Sequence, residues 1–390
     1  MALACSSYWP YVGGVEEHVR NVATHLLARG HAVEVWTVDR GEHLRDRMVD
    51  DVRVRYLLTP LPARQPGPLV RFAVAAPSAL AAWDRAWRQF RPDLINIQCF
   101  GPNGLYGLAL HELHHTALVL SSHGETFADD DRIFQRSHLL RWALRRVGSV
   151  AAAVTGSSQF VVDDLSTHFG VTGAQIIPNG VDLSEGSRLV PVHPVFDPAY
   201  PTILAIGRLE YVKGFDLLLR AFAAGNLPQD SHLVIGGDGS QLGELQTLAA
   251  QLGLQGRVHF PGRLARAQVI ASMAAATVNV VPSRTEAFGI VVLEAWRSGR
   301  PLVATSHGGP GALVADGVNG LVVDPENTAA LADALGRVTE DEELAGRLAA
   351  NGRCAVQRYT WQAVTDQYDR VYHAVLGHQS GQSAATDSQQ

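Results

Sequence analysis

The strongest constraint on the fold is a pattern that runs its course and then starts again. A short apolar run leads into a polar or Gly-rich turn and then a helical segment, repeatedly. Strands alternating with helices specify a parallel, doubly wound sheet, because a parallel neighbour is reached only through a covering crossover. In the first half, strands fall at Ala2–Ser6, His31–Val38, Leu94–Gln98, Ala117–Ser121 and Val150–Thr155. Between them Val15–Arg29 (stopped by Gly30), Pro77–Phe90 and Ser137–Arg146 read as helices. The pattern breaks at Leu189–Pro201, which holds Pro191, Pro194, Pro198 and Pro201 and reads as a linker. It restarts with strands at Thr202–Ile206, His232–Ile235, Val258–Phe260, Thr277–Val281, Leu302–Ala304 and Gly320–Val322. Helices Asp216–Ala223, Leu242–Leu252, Ile290–Ser298 and Thr328–Val338 fill the gaps. The expected organisation is a domain over 1–188, a linker over 189–201 and a second domain over 202–359. The Ser/Gln/Ala-rich end, 381–390, reads as disordered.

Bulk properties fit two soluble cores. The 390 residues exceed a typical single core, and 46% are hydrophobic against 18% charged. Formal net charge is −6 without a long basic run, which disfavours a nucleic-acid partner. Cys5, Cys99 and Cys354 are too scattered for a disulfide framework or a metal cluster, and suit a reducing cytoplasm. The N-terminus does not read as a signal peptide, and no stretch has the roughly 18 apolar residues of a membrane span.

Chemistry is expected where strands end. Gly13–Gly14, directly after the first strand, opens a helix whose free N–H groups suit an anion; a tight turn explains the pair equally well. Gly207–Arg208–Leu209 and Lys213–Gly214 follow the first strand of the second half, on the edge where doubly wound sheets bind ligands. A guanidinium fork plus a flexible ammonium there suits a diphosphate, and that reading is preferred to two solvated surface cations. After Thr277–Val281 comes Glu286, then a helix near Gly289 that carries Glu294. Backbone N–H groups of Phe288, Gly289 and Ile290 are placed to hold phosphate, with carboxylates either side to accept vicinal hydroxyls. His123–Gly124–Glu125 ends another strand, and alone reads as an ordinary satisfied polar site. Gly236–Gly237–Asp238–Gly239 reads as a turn that lets backbone approach a ligand. The histidines, His111, His114 and His115 among them, show no zinc-site spacing.

Taken in order, these pieces, with Pro178–Asn179–Gly180–Val181–Asp182, resemble glycosyltransferase family 4: retaining enzymes of the GT-B fold, two Rossmann-like α/β domains facing across a cleft. The resemblance implies that Arg208 and Lys213 hold the donor diphosphate, helped by backbone at Gly14, Phe288, Gly289 and Ile290. It implies that Glu294 binds the ribose, that Glu286 and His123 contact the transferred sugar, and that backbone near Leu264 reads the nucleobase. The first domain would bind the acceptor, and the last helix, 360–378, would pack back onto it. No metal or cofactor is implied; the nucleotide sugar is a co-substrate, by default a UDP-sugar, and transfer would proceed on one face of the sugar without a covalent nucleophile. Two positions depart from the family: Asn96–Ile97–Gln98 replaces a His-x-His pair, which would alter the acceptor-side pocket, and Arg300 replaces a small residue before Pro301. A nucleotide-sugar 2-epimerase and a non-catalytic carbohydrate-binding relative are the rival readings. The basic segment Arg136–Arg146 reads first as a sheet-packed helix with solvated arginines, and second as a peripheral membrane contact for a lipid-linked acceptor.

Overall fold

The computed structural model describes residues 1–11, 13–62, 66–127, 133–188, 192–225 and 227–387. They form two compact units: Met1–Asn179 with Trp361–Gln390, and Gly180–Thr360.

The first unit is built on strands β1 (Ala2–Cys5), β2 (Glu34–Val38), β3 (Arg47–Val49), β4 (Val52–Leu57), β5 (Leu94–Gln98), β6 (Ala117–Ser122), β7 (Ala153–Gly156) and β8 (Gln175–Ile176). Their order is β3-β4-β2-β1-β5-β6-β7-β8, parallel except for the β3–β4 pair. Helices α1 (Gly14–Ala28), α2 (Pro66–Phe90), α3 (Pro102–His114), α4 (Ile133–Arg136), α5 (His138–Val150) and α6 (Gln159–Phe169) cover it. Strand alternation sorts the core onto two faces. Ala2 and Ala4 point into one cluster with Trp36 and Trp83, while Leu3 and Cys5 point into another with Val19 and Leu26.

The second unit holds β9 (Thr202–Ile206), β10 (His232–Gly236), β11 (Val258–His259), β12 (Val278–Val281), β13 (Leu302–Thr305) and β14 (Leu321–Val323). They form one parallel sheet in the order β11-β10-β9-β12-β13-β14. Around it lie α7 (Glu185–Arg188), α8 (Phe215–Ala224), α9 (Leu242–Gln251), α10 (Arg266–Ala275), α11 (Ile290–Ser298), α12 (Gly309–Leu313), α13 (Thr328–Glu340) and α14 (Glu342–Ala355). The chain then enters α15 (Trp361–Asp387), which belongs to the first unit. Trp361, Val364, Tyr368, Val371, Tyr372 and Val375 make its buried stripe, at the i, i+3, i+7 spacing of one helix face.

Several boundaries differ from the sequence expectation. The proline-dense segment is not a linker between units. The units divide at Asn179/Gly180, and Val195 and Phe196 pack on the second unit's core beside Met273. Residues 189–191 lie outside the described residues. The second helix begins at Pro66 rather than Pro77, which sits exposed inside it, where its missing N–H leaves a carbonyl that water can reach. The helix after β6 runs to Val150, so β7 starts only at Ala153. α15 continues past Gly381 to Asp387, its Gln and Ala residues being good helix formers; 388–390 lie outside the described residues. Among the described residues, no helix is long and apolar enough to cross a membrane.

Candidate active site

In the second unit the strand order reverses between β9 and β12, and the carboxyl end of such a switch point is where open α/β sheets bind ligands. The loop after β9 runs through Gly207 and the exposed Arg208 to a single 3-10 turn, Tyr211–Lys213, closed by Gly214 in the left-handed region at φ 67°. A Cβ on Gly214 would stand 2.1 Å from the Pro282 carbonyl oxygen, so only glycine lets this loop touch the one after β12. Arg284 ties the same two loops. Its amide donates to Val212 O at 2.8 Å, and its guanidinium holds Asp216 through two 2.7 Å bonds while stacking 3.9 Å above the Tyr211 ring.

This clamp brings Lys213 and Glu286 together. Lys213 Nζ is 2.6 Å from Glu286 Oε2, and Ser283 Oγ donates to the same oxygen at 3.4 Å. The Glu286 backbone is gripped from the β13 side: its N–H donates to His307 O at 3.3 Å, and Gly309 N donates to its carbonyl at 2.8 Å. Gly308 (φ 95°) is required there, since its Cβ would lie 2.1 Å from Glu286 O. Phe288 and Gly289 are buried beside this loop, Gly289 at φ 88° opens α11, and Ile290 is its first residue. The α11 N-terminus, with the positive end of its dipole, therefore begins next to the Lys213–Glu286 pair.

Glu294, one turn into α11, is only 7% exposed. Its Oε1 accepts from Arg266 Nη1, and Arg266 also gives Nε and Nη2 to the two oxygens of Glu185 at 2.6 Å each. Burial works against the Arg266 charge, yet Glu185 and Glu294 overcome it and hold its pKa above the usual value. Leu264 precedes α10 and lies over Gly236, where a Cβ would meet its Cδ1 at 2.9 Å. The Gly236–Gly239 turn does not leave its backbone open to a ligand. Gly237 is pressed onto the Gly207 carbonyl, where a Cβ would sit at 1.8 Å, and Gly239 onto Leu209 O at 2.5 Å, so these glycines serve loop-on-loop packing. Arg300 is exposed and donates from Nε to Ala274 O at 2.6 Å.

Gly14 and His123 belong to the first unit. Gly14 is the first residue of α1, and the same helix carries His18 inward. The His18 and His123 rings meet edge-on with centroids 4.5 Å apart. His18 also lies 2.7 Å from Asn179 Oδ1 and 3.1 Å from the Tyr368 hydroxyl of α15. Burial lowers its pKa to about 4. Burial, then the neighbouring His18, push His123 well below its ordinary value. Burial likewise raises Glu125, whose oxygens accept from the amides of Phe100 (2.8 Å) and His123 (2.7 Å).

Asn96 and Gln98 sit in the interior of the first unit. Both are fully buried: Asn96 Nδ2 donates to Tyr372 OH at 2.6 Å, and Gln98 Oε1 lies 2.8 Å from His123 Nε2. They form the polar seam that fastens α15 to the sheet. α5 turns Leu140, Ala143, Leu144 and Val147 inward and leaves Arg145, Arg146 and Trp142 exposed, with Arg146 paired to Glu112 at 2.7 Å. Sequence reading missed Arg266, Glu185, Arg284 and His18. Each acts on a partner distant in sequence; the nearest cue was the place of Glu185, three residues beyond the Pro178–Asp182 motif.

Two doubly wound domains, with charged groups gathered at the switch point of the second, define an α/β protein of GT-B architecture. A glycosyltransferase family 4 model matches residues 12–185, and a glycosyl transferases group 1 model matches residues 193–354. A D-inositol 3-phosphate glycosyltransferase from Saccharomonospora viridis is 30% identical over 403 residues, covering 93% of this chain and 90% of that one. Sucrose-phosphate synthase from Thermosynechococcus elongatus superposes with a TM-score of 0.80 at 24% identity, over 97% of this chain and 99% of that one. Anabaena HepE, solved in complex with UDP-glucose, gives 0.73 at 23% identity over 96% of this chain and all (100%) of that one. The chain belongs to glycosyltransferase family 4 and is a glycosyltransferase.

Proposed function

We propose that this enzyme transfers a sugar from a nucleoside-diphosphate donor, with UDP as the default nucleotide, with retention of configuration and without a metal ion. The observation that carries the reading is the Lys213–Glu286 pair at the β9/β12 switch point, beside the N-terminus of α11. An ammonium, a guanidinium at Arg208 and a helix N-terminus supply the positive field a departing diphosphate needs. Phe288, Gly289 and Ile290 offer backbone donors to it. Glu286 orients the sugar through its hydroxyls, Glu294 takes the ribose, and backbone near Leu264 meets the base. The anomeric carbon–diphosphate bond breaks as the acceptor oxygen bonds to the same face, and the acceptor proton passes to a diphosphate oxygen. The acceptor is assigned to the first unit.

A thermal-shift screen against UDP-, GDP-, ADP- and dTDP-sugars tests the donor, and stabilisation by none of them overturns the reading. With the donor in hand, proton NMR of the product gives the anomeric configuration, and inversion would refute retention. Full activity in excess EDTA is expected; loss restored by a divalent cation would refute metal independence.

A further inference from the structure

Behind Glu294 lies a line of alternating charges that the transfer step does not use. Glu294 Oε1 is bonded to Arg266, Arg266 is bonded twice to Glu185 at 2.6 Å, and Glu185 Oε2 also accepts from Arg297 Nη1 at 2.6 Å. Arg297 Nη1 is tied in turn to Asp182 O at 3.1 Å. Two opposed pairs cancel, so the row holds no net charge. Its geometry is rigid for a specific reason. The guanidinium is a planar fork, and with Nε and Nη2 both engaged by one carboxylate, its remaining nitrogen Nη1 has a fixed direction. That nitrogen meets Glu294.

A carboxylate has about four acceptor positions on two oxygens, and left alone on a helix it samples several rotamers. Arg266 takes Oε1; among the described residues Oε2 accepts no hydrogen bond. The side chain is thus held with one oxygen committed to protein and one available, on a residue that is only 7% exposed. We propose that Arg266, anchored by Glu185, is a positioning residue that presents the second oxygen of Glu294 to the vicinal hydroxyls of the donor's ribose, making the site select ribonucleotides over 2′-deoxyribonucleotides. This rests on the nucleotide-donor reading above. The selectivity follows from an asymmetry: a polar group preset for a hydroxyl is left unpaired when the hydroxyl is missing, and that costs more than the bond gains.

The test is isothermal titration of UDP, GDP, ADP and their 2′-deoxy counterparts into the full chain and into Arg266→Ala, Arg266→Lys and Glu185→Gln. Wild type should prefer the best-bound ribonucleotide over its deoxy form by about tenfold or more. Arg266→Ala should bring that ratio close to one, mainly by weakening the ribonucleotide. Arg266→Lys keeps the charge without the fork and should fall between. If Arg266→Ala does not fold, as judged by circular dichroism, the ratio in Glu185→Gln decides instead, and a fall there supports the proposal. A wild type that binds both forms equally, or variants that keep the wild-type ratio, overturns the proposal while the transferase reading stands. Failure of every nucleotide to bind wild type overturns both.

Discussion

At the scale of single residues, the charges at the switch point have different jobs from those in the first unit's interior. Lys213 and Glu286 are partly exposed, 22% and 15%, so breaking their pair costs stability on the order of 1–2 kcal/mol. Lost stabilisation of a developing anion is worth more, roughly 3–4 kcal/mol. Lys213→Ala should therefore lower kcat by about 100-fold or more while unfolding with nearly wild-type cooperativity, read from steady-state kinetics beside urea melts. His18 shows the reverse balance. Its pKa falls from 6.5 to about 4 because the ring is buried, so between those values the unfolded chain binds more protons than the folded one. Stability is then full above pH 6.5 and declines as pH falls toward 4, by up to about 3 kcal/mol from this residue. His123 adds to the same trend. Urea denaturation at pH 7.5 and pH 5 should show the loss, and His18→Gln should reduce the difference between them.

At the scale of elements, the site is made by loops that touch, and glycine decides whether they can. Gly214 has both a left-handed backbone and the Pro282 carbonyl in the place of its missing Cβ. Alanine there meets αL strain and a backbone clash together. Gly214→Ala should destabilise the protein by at least about 2 kcal/mol and weaken nucleotide binding, because Lys213 moves away from Glu286. Chemical denaturation and nucleotide titration measure the two effects separately; wild-type values in both would show that the loops are not coupled. The glycines of the Gly236–Gly239 turn looked like ligand-facing backbone in the sequence. They are small because another loop lies on them, a distinction that no local pattern records.

At the scale of the whole molecule, the chain leaves the first unit at Asn179 and returns at Trp361. The returning helix α15 buries six large apolar or aromatic side chains and supplies partners for His18 and Asn96. Each such side chain is worth roughly 1.5–3 kcal/mol, against a total domain stability of about 5–15 kcal/mol. Truncation after Thr360 should therefore unfold the first unit while the second still melts cooperatively, two outcomes that calorimetry and limited proteolysis distinguish. Much of this architecture was legible in advance. The alternation of apolar runs and helical stretches is local, and local periodicity specifies both doubly wound sheets and places Arg208, Lys213 and Glu286 in loops that follow strand ends, with Glu294 in the helix that comes next. Strand β4 escaped although Val52–Tyr56 alternates apolar and polar, and helix α6 escaped although Ser158 and Gly170 bracket it; helix α3 was not expected either. What the amino-acid sequence determined by itself was the kind of sheet, its repetition and the residues at its carboxyl edge. Only the tertiary structure decided the unit boundary, the grip of Glu185 on Arg266 and the buried meeting of His18 with Tyr368. Those partners stand 81 and 350 residues apart, and which distant groups meet is chosen by packing of the whole fold rather than by any neighbour in the chain.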